Sequence, residues 1–342
     1  VDVDDTAVVR KVMNPWTGAE FLTRRLLMPA LSQSHADLYA ACNGADFLLS
    51  HVLTYGGPIV AEQQQMPWAT AFLQPMVLFS AHDMPIVPPL TVLRRLRVLG
   101  PIFNRAVIKL MFSVSARWGA PVANLRRELG LSPGTNPLID AYRSPFMNLA
   151  LFPQHFASAQ PDWPAATELC GFPFLDEDFG SDAVARETAE FIDRGPPLVV
   201  ITLGSAAVNI AGGFIERAVG VCDRLGMRTL VVIGPHTRCT DLPASKNIYL
   251  VPSIPYFQVF PRADVIVHSG GIGTTAHALR AGVPQVIVPF AHDQFDNADR
   301  VARLGCGFDA GSRHIAAGRL ARLLERAIED DGLRATCAEV AA

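Results

Sequence analysis

From Pro196 onward, short apolar runs alternate with amphipathic stretches: LVVITLGS, then GFIERAVGVCDRLG, RTLVVIG, IYLVP, ADVIVHS and PQVIVPF, with helical pieces between most of them. Unbroken Val, Ile and Leu runs of this length suit strands covered on both faces, and the stretches between them carry apolar residues at helical spacing. The pattern predicts a doubly wound α/β domain around a parallel sheet. The first half is less regular. Strand-like FLLSHVL (47–53), WATAFLQ (68–74) and NLALFP (148–153) are set among longer helical stretches, so it reads as a second, incomplete α/β domain. The segment GFPFLDEDFGSDAVARETAEFIDRGPP combines Pro, Gly and acidic residues with no core pattern at its start. The expected division is therefore a first domain over 1–170, a linker over 171–196 and a second domain over 197–342.

Composition narrows the function class. At 342 residues and half apolar, the chain has material for two domains of ordinary size. A formal net charge of −3 points to neither nucleic acid nor an acidic solvating role, and fits a small-molecule ligand. Six cysteines without a CxxC pair argue against a zinc ribbon or a disulfide framework and read as a reduced, cytoplasmic protein. The opening VDVDDTAVV lacks the build of a signal peptide, and no apolar run is long enough to span a bilayer. There is no initiating Met, and LRATCAEVAA stops inside a helical pattern, so both ends read as cut. One stretch stands apart: from Met84 to Arg127 there is no acidic residue, while Arg94, Arg95, Arg97, Arg105, Lys109, Arg117, Arg126 and Arg127 are interleaved with apolar positions. It reads as an ordinary solvated face over an apolar core, as a peripheral membrane contact, or as a cover over an acceptor site.

The candidate chemistry gathers at HSGGIGTT, residues 268–275. Strand, glycine turn, helix start is an anion site, because the first helical turn presents unpaired N–H groups and the positive end of its dipole. Gly270, Gly271 and Gly273 let a ligand approach the backbone, and Thr274 and Thr275 add hydroxyls. A phosphate or diphosphate is the natural guest. His268 closes the preceding strand, where an imidazole can touch the same phosphate. Asp293 and Gln294 follow the next strand, and an adjacent carboxylate and carboxamide suit neighbouring sugar hydroxyls. TLGS places Thr202, Gly204 and Ser205 at a comparable turn. Gly271, Gly273 and Ala276 also spell GxGxxA, with Asp293 near the offset of a ribose carboxylate, so a nicotinamide or flavin oxidoreductase is a rival reading. His82-Asp83 and His292-Asp293 raise a metal-dependent phosphohydrolase, but further ligands at suitable spacing are missing.

The run HSGGIGTTAHALRAGVPQVIVPFAHDQFDNADRVARLGCG resembles the donor-site signature of GT-B glycosyltransferases of the UDP-glycosyltransferase superfamily, and looks most like the bacterial antibiotic and sterol glucosyltransferase branch. TLGS, LVPSIPYFQVF and FPRADVIVH fit the same pattern in the same order. The resemblance implies two Rossmann-like domains facing across a cleft, the first binding an apolar acceptor and the second a UDP- or dTDP-hexose, with inverting transfer, no metal and no further cofactor. It matches His268, Gly273 and Thr274 to the diphosphate contacts, Asp293 and Gln294 to the sugar contacts and Ser205 to the TLGS contact, and it puts Leu250, followed by the donor-binding candidate Val251, at the nucleobase position.

Departures from the family pattern qualify that expectation. Leu250 stands where the family often stacks an aromatic residue on the base, Ser253 replaces the Gln that follows, and Ala276 replaces a ribose-binding Glu. The larger departure is at the front: the opening strand, glycine turn and acceptor-activating His with which the family begins belong before Val1, a gap on the order of sixty residues. His51, at a strand end where relatives place an Asp, is the candidate base, or else a polar residue lining the acceptor side. The alternative to catalysis is a GT-B-fold protein that binds an apolar ligand or cofactor without turnover.

Overall fold

The computed structural model describes residues 5–342 apart from 135, 137, 140–141, 176–183, 196, 205–210, 212 and 235–244, and apart from the side chain of Leu93. The chain divides into two compact units, Pro15–Pro173 and Phe174–Ala342, and the N-terminal helix Thr6–Val12 belongs with the second.

The first unit is built on four parallel strands in sequential order: β1 (Leu48–His51), β2 (Trp68–Phe72), β3 (Met147–Ala150) and β4 (Thr167–Leu169). This is one wing of a doubly wound sheet, with β1 at its edge. The β1–β2 connection is the helix Gly56–Gln63, whose first six residues are all buried. Between β2 and β3 lies a long helical excursion containing Thr91–Leu99, Pro101–Ser115 and Ala120–Glu128. The first three strands occupy the predicted apolar runs. β4 is a half-buried Thr-Glu-Leu edge with no apolar run to announce it.

The second unit has six parallel strands: β5 (Leu198–Thr202), β6 (Arg228–Val232), β7 (Ile248–Val251), β8 (Val265–His268), β9 (Gln285–Ile287) and β10 (Gly307–Asp309). Their order is β7-β6-β5-β8-β9-β10, so the sheet winds outward from β5 and then from β8. The adjacent β5 and β8 mark the topological switch, the point outside whose carboxyl ends such sheets bind ligands. All five residues of β5 and all four of β8 are buried, which is why their sequences are unbroken apolar runs. One core cluster joins Leu198, Val200, Leu230 and Ile266 from the strands to Phe191, Val259, Phe260 and Ala278 from the covering helices. β10 was not visible in the sequence, because three residues beginning with Gly carry no periodicity.

Candidate functional site

The glycine turn follows β8, the fourth strand of its sheet. A dinucleotide fingerprint belongs to the turn after the first strand, so the oxidoreductase reading loses its structural context. Thr202 of β5 lies in register with His268 of β8. Ser269 Oγ donates to the Leu203 carbonyl at 2.8 Å and ties the two strand ends together.

Gly270 is the pivot of the turn. Its φ of +88° is left-handed, and a Cβ there would lie 2.7 Å from Ile287 Cγ2 and 2.9 Å from the Gln294 carbonyl, so only glycine fits. Over Gly271 and Gly273 the situation is opposite, because a Cβ at either would meet nothing within 4 Å. The helix Ile272–Arg280 starts beneath this open space with no side-chain cap. Its first internal bond runs from Thr275 N to the Gly271 carbonyl at 3.0 Å, which leaves the N–H groups of Ile272, Gly273 and Thr274 without an intrahelical acceptor. An uncapped helix start under open space has the geometry that an anion cradle requires. Thr274, half-buried, stands at its rim. Thr275 does not add a hydroxyl donor: it is fully buried, and Oγ1 is bonded back to the Gly271 carbonyl at 3.0 Å.

His268 also takes a different role from the one its position suggests. It is completely buried. Nδ1 accepts the Gly270 N–H at 3.1 Å, so in the neutral ring Nε2 carries the proton and donates it to Gln285 Oε1 at 2.8 Å. Both ring nitrogens are spent inside the protein. Burial lowers its pKa to about 4 against the opposing pull of Gln285, and a second proton on Nδ1 would face the Gly270 N–H directly. His268 is therefore a neutral strut under the turn, and the imidazole contact to phosphate does not form in this arrangement.

Asp293 and Gln294 lie at the start of the helix Gln294–Arg303, beyond β9. Asp293 keeps part of its surface in solvent. Burial of the carboxyl pushes its pKa up to about 6, opposed by the Asn297 donor. Gln294 Oε1 accepts the N–H groups of Phe290 and Ala291 at 2.8 and 3.0 Å, so its carbonyl is engaged in the loop and only the amide hydrogens face other partners. Sequence reading missed Asn297. Fully buried one helical turn after Asp293, it donates at 2.8 Å to both Asp293 Oδ2 and the Gly270 carbonyl, joining the cradle to the carboxylate. A polar residue on the buried face of an otherwise amphipathic helix was the available signal. Beside them, His292 has a left-handed φ of 52°, its ring bonds the backbone of Val12 in the N-terminal helix, and Nε2 is buried without a partner.

The remaining candidates are scattered. Leu250 on edge strand β7 is 37% exposed. Val251 is not available as a side-chain contact, because it packs into the core cluster. Ala276 is buried, so no carboxylate stands at that helix position. Ser205 lies outside the described residues. His51, half-buried at the end of β1 in the first unit, accepts the Leu53 N–H on Nδ1 at 3.3 Å, and burial lowers its pKa. Among the described residues no three His, Cys, Asp or Glu side chains converge as a metal set, and no helix is long and apolar enough to cross a membrane.

The family described as erythromycin biosynthesis protein CIII-like, C-terminal domain, matches residues 229–342, the part that holds the glycine turn and Asp293. A sterol 3-beta-glucosyltransferase of Leptosphaeria maculans is 30% identical over 284 residues, 79% of this chain and 19% of that protein. An O-mycaminosyltylonolide 6-deoxyallosyltransferase of Streptomyces fradiae is 34% identical over 217 residues, 62% of this chain and 49% of that protein. The chain thus spans about a fifth of the fungal relatives and half of the bacterial one. The glycosyltransferase of kitacinnamycin superposes with a TM-score of 0.68 over 94% of this chain and 76% of that one, at 22% identity, and shares its fold. With its 3-2-1-4-5-6 sheet and this structural neighbour the chain has the GT-B fold, and over part of their length its sequence is similar to sterol and macrolide glycosyltransferases of the UDP-glycosyltransferase superfamily.

Proposed function

We propose that the protein is an inverting glycosyltransferase that moves a hexose from a nucleotide diphosphate to a hydroxyl of an apolar small molecule, lipid or sterol. The carrying observation is the link through Asn297 between an open, uncapped helix start and a carboxylate. The two are held together at the switch point of one sheet. A diphosphate meets the free N–H groups of Ile272, Gly273 and Thr274, whose dipole favours the charge that grows on it as it leaves. Asp293, ionised at neutral pH, accepts from hydroxyls of the sugar, and the Gln294 amide donates to them. His268 acts at one remove, by setting the carbonyls and N–H groups of the turn.

In the chemical step the acceptor oxygen bonds to C1 as the C1–O bond to the diphosphate breaks, and the acceptor proton passes to a base. His51 is assigned that role in this reading. Its lowered pKa keeps it neutral at pH 7, and taking the proton on Nδ1 requires release of the long bond from Leu53. The test is titration with UDP-glucose and dTDP-glucose, followed by assay for transfer to a sterol and for donor hydrolysis. Saturable donor binding with turnover supports the reading. No binding of either donor would sink it, and binding without turnover in wild type would favour the non-catalytic alternative.

A further inference from the structure

The basic segment between β2 and β3 puts only some of its apolar residues into a core. In the helix Pro101–Ser115 the inward side is Asn104 and Ile108, both buried, with Asn104 Nδ2 bonded to the Ala81 carbonyl at 2.9 Å and Phe112 packed edge-on against Phe79 at 5.0 Å. That anchoring holds the opposite side outward. It carries Ile102 (85% exposed), Ala106, Leu110 (66%) and Val114 (64%), spaced four apart and therefore one above another along the helix. Arg105 and Lys109, each one residue earlier and both exposed, run along the flank of that stripe. The preceding helical segment Thr91–Leu99 continues the pattern with exposed Val92, Val98 and Leu99 beside exposed Arg94 and Arg95.

We infer that this stripe is a docking surface for an anionic lipid bilayer. Soluble proteins rarely leave this many large apolar side chains contiguous and bare, and the charged residues of the segment itself have one sign, with no carboxylate between Met84 and Arg127. An apolar face bordered by Lys and Arg is the arrangement a helix needs to lie in the headgroup boundary, with side chains in the acyl region and cations on phosphate and carboxylate headgroups. Among the described residues no helix is long and apolar enough to cross a membrane, and the contact inferred is a peripheral one. The inference does not rest on the glycosyltransferase reading, and its test uses no nucleotide.

The experiment is flotation of the protein with vesicles of phosphatidylcholine alone and of phosphatidylcholine mixed with phosphatidylserine, at low and high salt. The expected result is binding to the phosphatidylserine vesicles that weakens with salt and falls at least about tenfold in Leu110→Asp and in Ile102→Asp. Arg105→Glu with Lys109→Glu should remove the preference for the anionic vesicles. All four positions are solvent-exposed, so the variants keep the fold, checked by circular dichroism. Binding to neither vesicle, binding that Leu110→Asp leaves unchanged, or a wild-type dimer that Leu110→Asp turns into a monomer would each overturn the inference, the last by assigning the stripe to a second copy.

Discussion

At the scale of single residues, two titratable groups of the site region oppose each other. His268 has a folded pKa of about 4 against 6.5 when unfolded, so between those values only the unfolded chain takes up the proton. Its contribution to stability is complete above pH 6.5 and is lost as pH falls toward 4, by on the order of 3 kcal/mol. The destabilisation caused by His268→Gln should accordingly be small near pH 4 and grow toward pH 7 in urea titrations. Asp293 has the reverse sign. With a folded pKa raised to about 6 from 3.8, it retains its proton in the folded state across that window, and its effect on stability becomes less favourable as pH rises through it. For donor binding the ionised form matters, so donor affinity should fall as pH drops below about 6. Asp293→Asn should bind more weakly and show no such step in calorimetric titration. The sequence suggests an imidazole contact to phosphate from His268, whereas burial and two internal hydrogen bonds occupy both of its ring nitrogens and make it a support of the turn.

At the scale of elements, the turn from β8 into the helix Ile272–Arg280 contains glycines of two kinds, and substitution separates them. Gly270→Ala places a methyl group against Ile287 and the Gln294 carbonyl in a left-handed backbone, and should cost about 1 to 3 kcal/mol in thermal melts. Gly273→Val enters open space, so it should leave the melting temperature nearly unchanged while weakening nucleotide-diphosphate binding by at least about tenfold. Asn297→Ala should do both. It leaves the Gly270 carbonyl and Asp293 Oδ2 without their shared donor, at a cost of about 1 to 3 kcal/mol, and frees the carboxylate from its position. The sequence showed three glycines and two threonines as one motif. It did not distinguish a pivot from an opening, nor an exposed hydroxyl from one returned to the Gly271 carbonyl, because those differences lie in what packs above each residue.

At the scale of the whole molecule, the residues proposed to hold the donor all lie in the second unit. A nucleotide diphosphate at about a hundred times its dissociation constant should stabilise that unit by about 2.7 kcal/mol. Phe72→Ala, in the core of the first unit, should leave nucleotide affinity within about twofold. What the sequence alone determined was the alternation of buried strands and helices, the parallel sheets it implies, the place of the glycine turn and the pairing of Asp293 with Gln294. Each of these is local, written in periodicity or in neighbouring residues, so it survives without coordinates. Tertiary structure alone decided the rest: the switch between β5 and β8, the bridge through Asn297, the closed surroundings of His268, and the outward face of the helix Pro101–Ser115. The reason is the same in each case. A basic amphipathic pattern states that a helix has two faces, and a histidine beside glycines states that a turn is near. Which face meets solvent, and which nitrogen has a partner, depends on residues far away in sequence, such as Ala81 and Gln285.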